Sequence, residues 1–323
     1  MQQEPAAIDY RRTARRLPWD RLPAPVQDNI AAHLGGRVGS VLPAGGGFTP
    51  GFAAVLGDDA GESVFAKAAP ASDPNVYRSY RREAEVTALM PPGMPVPALR
   101  TAERLPVDGV EWQVLVYDAV AGRMPGLPWT EADVAAVERA CAASAALLTD
   151  FPRGARGSAL GEDMAQIPSQ FQPVLDGAAP PWFLPGLDRD EAHELQRALE
   201  LSVEALAGDG VIHGDLRGDN ILIASGNAVF CDWNFLGTGA AWIDWVGLLP
   251  YTRPDGIDAD AWLHRSALTR DVPPAHIDAW LAALLNFMTY WGGQPEDDAS
   301  PQLRSHGRYT ARLLYDWLAA RRG

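Results

Sequence analysis

The sequence predicts an α+β fold in which a small antiparallel sheet precedes a mainly helical region. Short strand-like runs separated by glycine-rich turns lie before residue 70, and long helical runs begin after residue 129. With 323 residues and a hydrophobic fraction of 47%, the chain can bury a large core in one domain or two lobes. Neither disulfides nor structural metal ions are needed for stability at this length.

The N-terminal part is predicted to begin with a short helix that stops at Gly35-Gly36. An antiparallel meander follows, and residues 43–51 (PAGGGFTPG) form a glycine-rich connection between its first two strands. A helix that ends before Pro91 then precedes a further apolar strand. The predicted elements are a helix over 24–34, strands over 38–42, 52–56 and 63–67, a helix over 76–90 and a strand over 110–116.

The C-terminal part is predicted to be mainly helical. A long helix is predicted to start at Thr130, with Glu131 and Asp133 in its first turn, where acidic side chains interact favourably with the helix dipole. Residues 151–187 are rich in proline and glycine and are expected to be irregular. The remaining predicted elements are a helix over 188–207, two short strands within 211–236, and helices over 275–291 and 301–320. The predicted domains are a helical extension over 1–37, an N-lobe over 38–118 and a C-lobe over 119–323.

Charge and composition exclude several classes of protein. The formal net charge of −14 argues against nucleic-acid binding and is compatible with a cationic ligand. Cys141 and Cys231 cannot form a disulfide framework. The sequence contains no uninterrupted apolar run long enough to span a membrane, and its N-terminus does not resemble a signal peptide. We therefore expect a cytoplasmic protein, either a monomer or a homodimer.

The basic residues are almost all arginine: 26 of the 27 are Arg, and the one lysine is Lys67. Abundant Ala, Gly, Pro and Arg indicates GC-rich codon usage, which replaces most lysines by arginine. A lysine retained under this bias marks a position where a planar guanidinium cannot replace a compact ammonium group.

The densest group of polar residues is VIHGDLRGDN, residues 211–220. Asp215 and Asn220 are separated by five positions, and Asp232 follows Asn220 by twelve. A hairpin between Asn220 and Asp232 would place these two residues side by side, with Asp215 in the preceding loop. Two oxygen ligands beside a further carboxylate suit Mg²⁺ and a nearby proton acceptor.

The run HGDLRGDN, followed by CDWN, resembles the aminoglycoside phosphotransferase family, the small-molecule branch of the protein-kinase-like fold. The resemblance implies two lobes, a small antiparallel-sheet N-lobe and a mainly helical C-lobe. It also implies ATP and Mg²⁺ as cofactors and transfer of the γ-phosphoryl group to a hydroxyl. In this interpretation Asp215 orients and deprotonates the acceptor hydroxyl, while Asn220 and Asp232 hold the metal. Arg217 either supplies charge at the γ-phosphate or forms a structural salt bridge.

The same resemblance assigns nucleotide contacts to the N-terminal part. Lys67 would bind the α- and β-phosphates and would be held by Glu83, with Glu85 as the competing partner. Residues 45–51 would be the glycine-rich loop, and residues 117–120 the hinge whose backbone holds adenine. The residues expected to bind nucleotide in these two segments are Gly45, Gly46, Gly47, Phe48, Thr49, Tyr117, Asp118 and Val120.

The sequence also departs from the protein-kinase pattern. The loop GGGFTPG has Pro50 at an expected glycine position, so the register of phosphate contacts is open. No segment resembles an activation loop, which argues against a protein kinase regulated by loop phosphorylation. The run HGDLRGDN, residues 213–220, would be the catalytic loop in this interpretation. His213 and Asp244 are expected to brace it.

Residues 151–187 and the C-terminal helices are expected to form the acceptor pocket. The family and the negative charge favour an aminoglycoside or similar cationic antibiotic as acceptor. Another small acceptor (a peptide antibiotic, macrolide, choline-like or sugar metabolite), a nucleotide-binding pseudokinase, and a metal-dependent hydrolase built from His213, Asp215, Asp219 and Asp232 remain alternatives. Trp242, Trp245 and Trp291 are expected in the core, with a platform for a ligand as the alternative. The acidic residues 296–298 are expected in a solvated loop, with a clamp for a cation as the alternative.

Overall fold

A computed structural model describes residues 8–10, 13, 15–296 and 300–322. Within these residues the N-terminal part is built on a five-stranded antiparallel sheet with strand order β1-β2-β3-β5-β4. Two helices pack on the sheet, one on each face. The elements are α1 (Ala24–Ala31), β1 (Val38–Pro43), β2 (Phe52–Asp58), β3 (Ser63–Pro70), α2 (Pro74–Thr87), β4 (Leu99–Val107) and β5 (Val110–Asp118).

Both faces of the central strands are apolar because each is covered by a helix. Val114 and Val116 of β5 share a core with Val26 and Ile30 of α1. Leu115 and Tyr117 of the same strand point to the opposite face, as the two-residue period of a strand requires, and pack against α2. Lys67 is paired with Leu115 in the register of β3 and β5, and its side chain reaches α2 on that face.

Strand β4 was not predicted from the sequence. It lies at the edge of the sheet, and its residues alternate between partly buried and exposed along most of its length. The exposed positions include Arg100, Arg104 and Pro106. An edge strand of this kind has one solvated face and tolerates proline, so its sequence has no apolar run.

The C-terminal part is mainly helical, as predicted. Thr130 caps α3 by accepting a hydrogen bond from Asp133 N (3.2 Å), and Asp188 caps α6 through Glu191 N (2.9 Å). The helices are α3 (Glu131–Leu147), α4 (Leu160–Ala165), α5 (Gln172–Leu175), α6 (Arg189–Ala205), α7 (Ile243–Leu248), α8 (Ala259–Arg265), α9 (Pro274–Gly292) and α10 (Leu303–Arg322). Two antiparallel strand pairs lie among them: β6 (Gly210–Ile212) with β9 (Gly237–Gly239), and β7 (Ile221–Ala224) with β8 (Asn227–Phe230).

The large apolar core of this region contains two of the three tryptophans expected there, Trp242 and Trp245. The expectation was wrong for Trp291, which is 37% exposed near the end of α9. Of the acidic residues at 296–298, Glu296 forms an ion pair with Arg308 (2.9 Å), and the other two lie outside the described residues. Among the described helices, none is both long and apolar enough to cross a bilayer.

Candidate active site

Lys67 lies between two carboxylates from distant parts of the chain. Its Nζ atom is 2.6 Å from Glu83 Oε2 and 2.7 Å from Asp232 Oδ1. Tyr117 donates a hydrogen bond to the second oxygen of Glu83 (3.1 Å), which fixes the carboxylate. Glu85, the competing partner, instead pairs with Arg81 on the exposed side of α2. Glu83 and Glu85 are two positions apart in α2, so they lie on opposite faces of the helix, one buried and one exposed to solvent.

Lys67 and Asp232 each stabilise the charged form of the other. Burial alone would lower the pKa of Lys67, but Asp232 and Glu83 outweigh it and raise the pKa. Burial would raise the pKa of Asp232, but Lys67 outweighs it and lowers the pKa to about 2. For Glu83 burial is the larger effect and raises the pKa to about 7. Lys67 and Asp232 are therefore both charged near neutral pH.

The loop between β6 and β7 contains Asp215 and Asn220. Asn220 donates from Nδ2 to the backbone carbonyl of Asp215 (2.8 Å) and, more weakly, to its Oδ2 (3.4 Å). Cys231 N donates to the carbonyl of Asn220 (2.9 Å), so the β7–β8 hairpin places Asp232 beside this loop. The structure thus brings together Lys67, Asp215, Asn220 and Asp232.

Arg217 forms an ion pair with Asp215, and it donates to Asp219 through Nε (3.0 Å) and Nη2 (3.1 Å). Burial raises the pKa of Asp215, and the nearby Arg217 opposes this effect. Asp219 has a lowered pKa because Arg217 and the hydrogen bonds it accepts outweigh the effect of burial. In this structure Arg217 therefore has the geometry of a structural ion pair within the catalytic loop.

His213 and Asp244 brace the loop, as expected. Asp244 accepts hydrogen bonds from the backbone N–H groups of His213 (2.6 Å) and Gly214 (3.0 Å). His213 Nε2 donates to the carbonyl of Cys231 (2.8 Å), and its Nδ1 accepts from Asp215 N (3.3 Å). The backbone that presents Asp215 is thus fixed on both sides.

The glycine-rich connection lies over the catalytic loop. Gly47 has a φ of +81° and donates its N–H to Asp219 Oδ2 (2.9 Å). A Cβ atom at Gly46 would lie 3.2 Å from the Tyr10 carbonyl oxygen and 3.3 Å from Asp219 Cβ, tight contacts that glycine avoids. On the side of the glycine-rich connection away from Asp219, Arg16 donates to the carbonyls of Ala44 (3.0 Å), Gly46 (2.6 Å) and Thr49.

The residues predicted to form the hinge are already engaged within the protein. Tyr117 is paired with Phe65 and with Leu99 in the sheet. Asp118 donates its N–H to the carbonyl of Ala98 (2.9 Å), and its side chain pairs with Arg100 (2.6 Å). The carbonyl of Val120 accepts from Gly122 N (2.9 Å). Tyr117 contributes to the site through its hydroxyl, a contact that the sequence did not suggest.

Two residues of the site were not recognised from the sequence as connecting its loops. Asp219 was considered only for a metal-dependent hydrolase, yet it joins the catalytic loop to Gly47. Arg16 lies in a segment with no motif, and it holds the glycine-rich loop from its outer side. The position of Asp219 directly before Asn220 is the one signal in the sequence that could have drawn attention to it.

A cavity of about 490 Å³ opens beside Asp215. Its walls come from α4, α7, α9 and α10, together with the catalytic loop and Phe48 of the glycine-rich loop. The residues that it draws from 151–187 are Leu160, Asp163 and Met164. This volume falls in the range of about 300–1,000 Å³ that is usual for small-molecule sites.

The oxygen atoms near Asp232 fit a magnesium site. Mg²⁺ binds through one or two protein oxygens and completes its shell with water and phosphate. Asp232 is ionised at neutral pH, and the bond from Asn220 Nδ2 to Asp215 leaves the amide Oδ1 for a cation. Within the described residues there is no cluster of three or more His, Cys, Asp and Glu with metal-binding geometry.

Comparisons with known proteins agree with this geometry. The profile of the Phosphotransferase enzyme family matches residues 40–268, well over half of the chain. The chain belongs to this family, and the resemblance to aminoglycoside phosphotransferases is confirmed. No curated protein matches the sequence.

Solved structures are similar over almost the whole chain at low identity. An aminoglycoside phosphotransferase from Alicyclobacillus acidocaldarius is 17% identical with a TM-score of 0.54, covering 91% of this chain and 95% of its own. A spectinomycin phosphotransferase in complex with ADP and spectinomycin is 10% identical with a TM-score of 0.60, covering 91% and 96%. A putative fructosamine-3-kinase from Thermobifida fusca is 20% identical with a TM-score of 0.51, covering 90% and 98%. These similarities confirm the two-lobed protein-kinase-like fold.

Proposed function

We propose that the protein is an ATP- and Mg²⁺-dependent phosphotransferase that moves the γ-phosphoryl group to a hydroxyl of a small molecule. The observation that carries the proposal is the position of Lys67 Nζ, 2.7 Å from Asp232 and on the face of the sheet covered by α2. Asp215 and Asn220 lie beside Asp232. A fixed ammonium group, a metal-binding pair and a carboxylate facing a cavity are the parts that phosphoryl transfer needs.

In the proposed reaction the acceptor hydroxyl oxygen attacks the γ-phosphorus, and the bond from the γ-phosphorus to the β,γ-bridging oxygen breaks. The electron pair of that bond leaves with ADP. Asp215 orients the hydroxyl and accepts its proton. Lys67 holds the α- and β-phosphates, and Glu83 fixes the position of Lys67. Catalysis then depends on positioning and charge neutralisation, without a covalent enzyme intermediate.

Asn220 and Asp232 would hold Mg²⁺. When bound there, the ion would supply positive charge that reduces the repulsion between the phosphate and the attacking hydroxyl. In the present arrangement Lys67 neutralises Asp232, and on nucleotide binding the lysine has the phosphates as alternative partners. The ADP in the spectinomycin phosphotransferase structure is consistent with nucleotide use by this fold.

The geometry disfavours the hydrolase alternative. Both ring nitrogens of His213 are engaged, Nε2 with Cys231 and Nδ1 with Asp215 N, so neither is available to bind a metal. Asp219 points to Arg217 and Gly47. A nucleotide-binding pseudokinase would differ from the proposed enzyme only in its lack of turnover, so an activity measurement is needed to separate the two. An aminoglycoside acceptor, a cytoplasmic location and a monomeric or dimeric state stay predictions from the sequence.

The test uses ATP labelled in the γ-phosphate and a panel of hydroxylated small molecules. The wild type is expected to form a phosphorylated product that mass spectrometry detects. Asp215→Asn should lower turnover by about 10²-fold or more while ATP still raises the melting temperature, because the carboxylate acts in transfer and not in nucleotide binding. Asp150→Asn, an exposed position, is the matched control. ATP binding without a product from any acceptor would favour the pseudokinase, and full activity of Asp215→Asn would contradict the assigned role.

A further inference from the structure

The cavity beside Asp215 is lined mainly by apolar and aromatic side chains. One wall is a stripe on α9 formed by Trp280, Leu284, Phe287, Met288 and Trp291, whose spacing places them on one face of the helix. Trp280 and Leu284 are buried, whereas Phe287 and Met288 are partly exposed and Trp291 is 37% exposed. The stripe thus emerges from the core into the cavity.

Other walls add to this apolar surface. Phe235, three residues after Asp232, is 61% exposed and faces the same cavity. Large exposed apolar side chains that line one concave surface mark a ligand site, because their burial by a ligand is favourable. The remaining apolar and aromatic residues of the walls are Phe48, Leu160, Met164, Leu216, Ile243, Tyr251 and Leu303.

The carboxylates that line the cavity are already engaged. Asp215 pairs with Arg217, and Asp232 pairs with Lys67. Asp244 accepts from two backbone N–H groups of the catalytic loop, and Asp163 accepts from Ser158. The remaining polar side chains of the described walls are Thr49, Arg217, Ser300 and His306.

Among those groups, Arg217 contributes a positive charge. Burial lowers the pKa of His306 to about 3, so this ring is neutral. Transfer of several ammonium groups into an apolar cavity is costly unless each finds a partner, and all four carboxylates in the described walls already have hydrogen-bond or ion-pair partners.

We infer that the acceptor is a largely apolar hydroxylated molecule with at most one positive charge, and not a polycationic amino sugar. This inference rests on the proposed function, because it takes the cavity beside Asp215 as the place where the acceptor hydroxyl is held. The scaffold packs against the α9 stripe and Phe235, and its hydroxyl reaches Asp215. The walls therefore select for apolar surface area, and the catalytic loop selects for the hydroxyl.

Binding is measured on the full chain with N-phenyl-1-naphthylamine, an uncharged fluorophore whose emission rises in apolar surroundings. The fluorophore is expected to bind, and testosterone, an apolar alcohol, is expected to displace it. Kanamycin, which carries several ammonium groups, is expected not to displace it at the same concentration. Displacement by kanamycin in preference to testosterone would overturn the inference.

A negative charge introduced into the cavity wall distinguishes an apolar acceptor from a polycationic one. Met288→Glu and Phe235→Glu each add a carboxylate to the cavity at a position that is not fully buried. Each change should weaken the binding of the apolar ligands, the fluorophore and testosterone, by about tenfold or more, because the added carboxylate must lose water when they bind. The same change should tighten the binding of a polycation such as kanamycin. Val203→Glu, at an exposed apolar position of α6 outside the cavity, should leave binding unchanged, and melting temperatures show that each variant is folded.

Phosphoryl transfer is then assayed with the same molecules and with further apolar alcohols. Transfer to apolar alcohols and not to kanamycin supports the inference. Efficient transfer to kanamycin overturns it and leaves the proposed function standing. If the fluorophore binds and the Glu variants weaken its binding, but no molecule is phosphorylated, then the proposed function fails while the apolar character of the cavity stands.

Discussion

Among single residues, Lys67 has the most constrained surroundings. Its Nζ atom contacts carboxylates on two sides and lies 5.4 Å from the centre of the Tyr80 ring. A guanidinium is wider and planar, and it directs its N–H groups in a fixed fork. The space between Glu83 and Asp232 suits a compact ammonium, which gives a physical reason for the only lysine in an arginine-rich chain.

Lys67→Arg should therefore lower kcat by about a hundredfold although the charge is kept, because the guanidinium displaces Glu83 or Asp232 from its position. Steady-state kinetics with ATP as the varied substrate measure the effect. Arg81→Lys, the reverse type of exchange at an exposed ion pair with Glu85, is the control and should leave kcat unchanged. Equal turnover of Lys67→Arg and wild type would show that the site does not depend on the shape of the cation.

Motif spacing was sufficient to predict which residues of the catalytic loop and hairpin lie together. Asp215, Asn220 and Asp232 are linked by a short hairpin, so their proximity is a local property of the chain. The contacts of Asp219 with Gly47 and of Tyr117 with Glu83 join residues from separate elements. No local pattern encodes such contacts, because they depend on how the sheet is placed against the catalytic loop.

Among the elements, the glycine-rich loop is the one whose register the sequence left open. In the structure Gly47 has the positive φ and makes the contact with the catalytic loop, whereas Pro50 accepts a hydrogen bond from Leu17 N through its carbonyl (3.1 Å). Arg16 binds three carbonyls on the outer side of the loop. The shape of the loop is thus set by a residue more than 25 positions away, which the loop sequence alone does not reveal.

Arg16→Ala should raise the KM for ATP by about threefold or more, because a loop without its outer support must be ordered when nucleotide binds. The value of kcat should change less than KM, since the catalytic loop keeps its own hydrogen bonds. Nucleotide titrations followed by turnover and by melting temperature provide the measurement. Arg15→Ala, at the neighbouring exposed position, is the matched control, and an unchanged KM in Arg16→Ala would exclude a role in ordering the loop.

In the molecule as a whole, a residue near the N-terminus and residues around the start of α10 meet beside the cavity. The Tyr10 hydroxyl is hydrogen-bonded to His306 Nδ1 (2.8 Å), and Ser300 donates to the carbonyl of Phe48 (2.5 Å). His306 also stacks on Tyr251. These contacts hold Phe48 of the glycine-rich loop against the start of α10. The sequence predicted the helices on either side, but it could not predict these contacts because the partners are hundreds of residues apart.

The burial of His306 makes stability depend on pH in a defined direction. Burial lowers its pKa from about 6.5 to about 3 in the folded protein. Between these values the unfolded chain binds a proton at His306 and the folded protein does not, so acid favours unfolding. The stabilisation from neutral His306 is therefore complete above about pH 6.5 and is lost as the pH falls towards 3.

The melting temperature of the wild type should consequently fall more steeply between pH 7 and about pH 5 than that of His306→Gln, whose side chain does not titrate. A lower melting temperature of the variant at pH 7 does not affect the test, because the comparison is between slopes. His193→Gln, an exchange at an exposed position of α6, is the control and should keep the wild-type slope. Equal slopes in wild type and His306→Gln would mean that His306 is accessible to protons in the folded protein, and that the contact between Tyr10 and His306 opens readily.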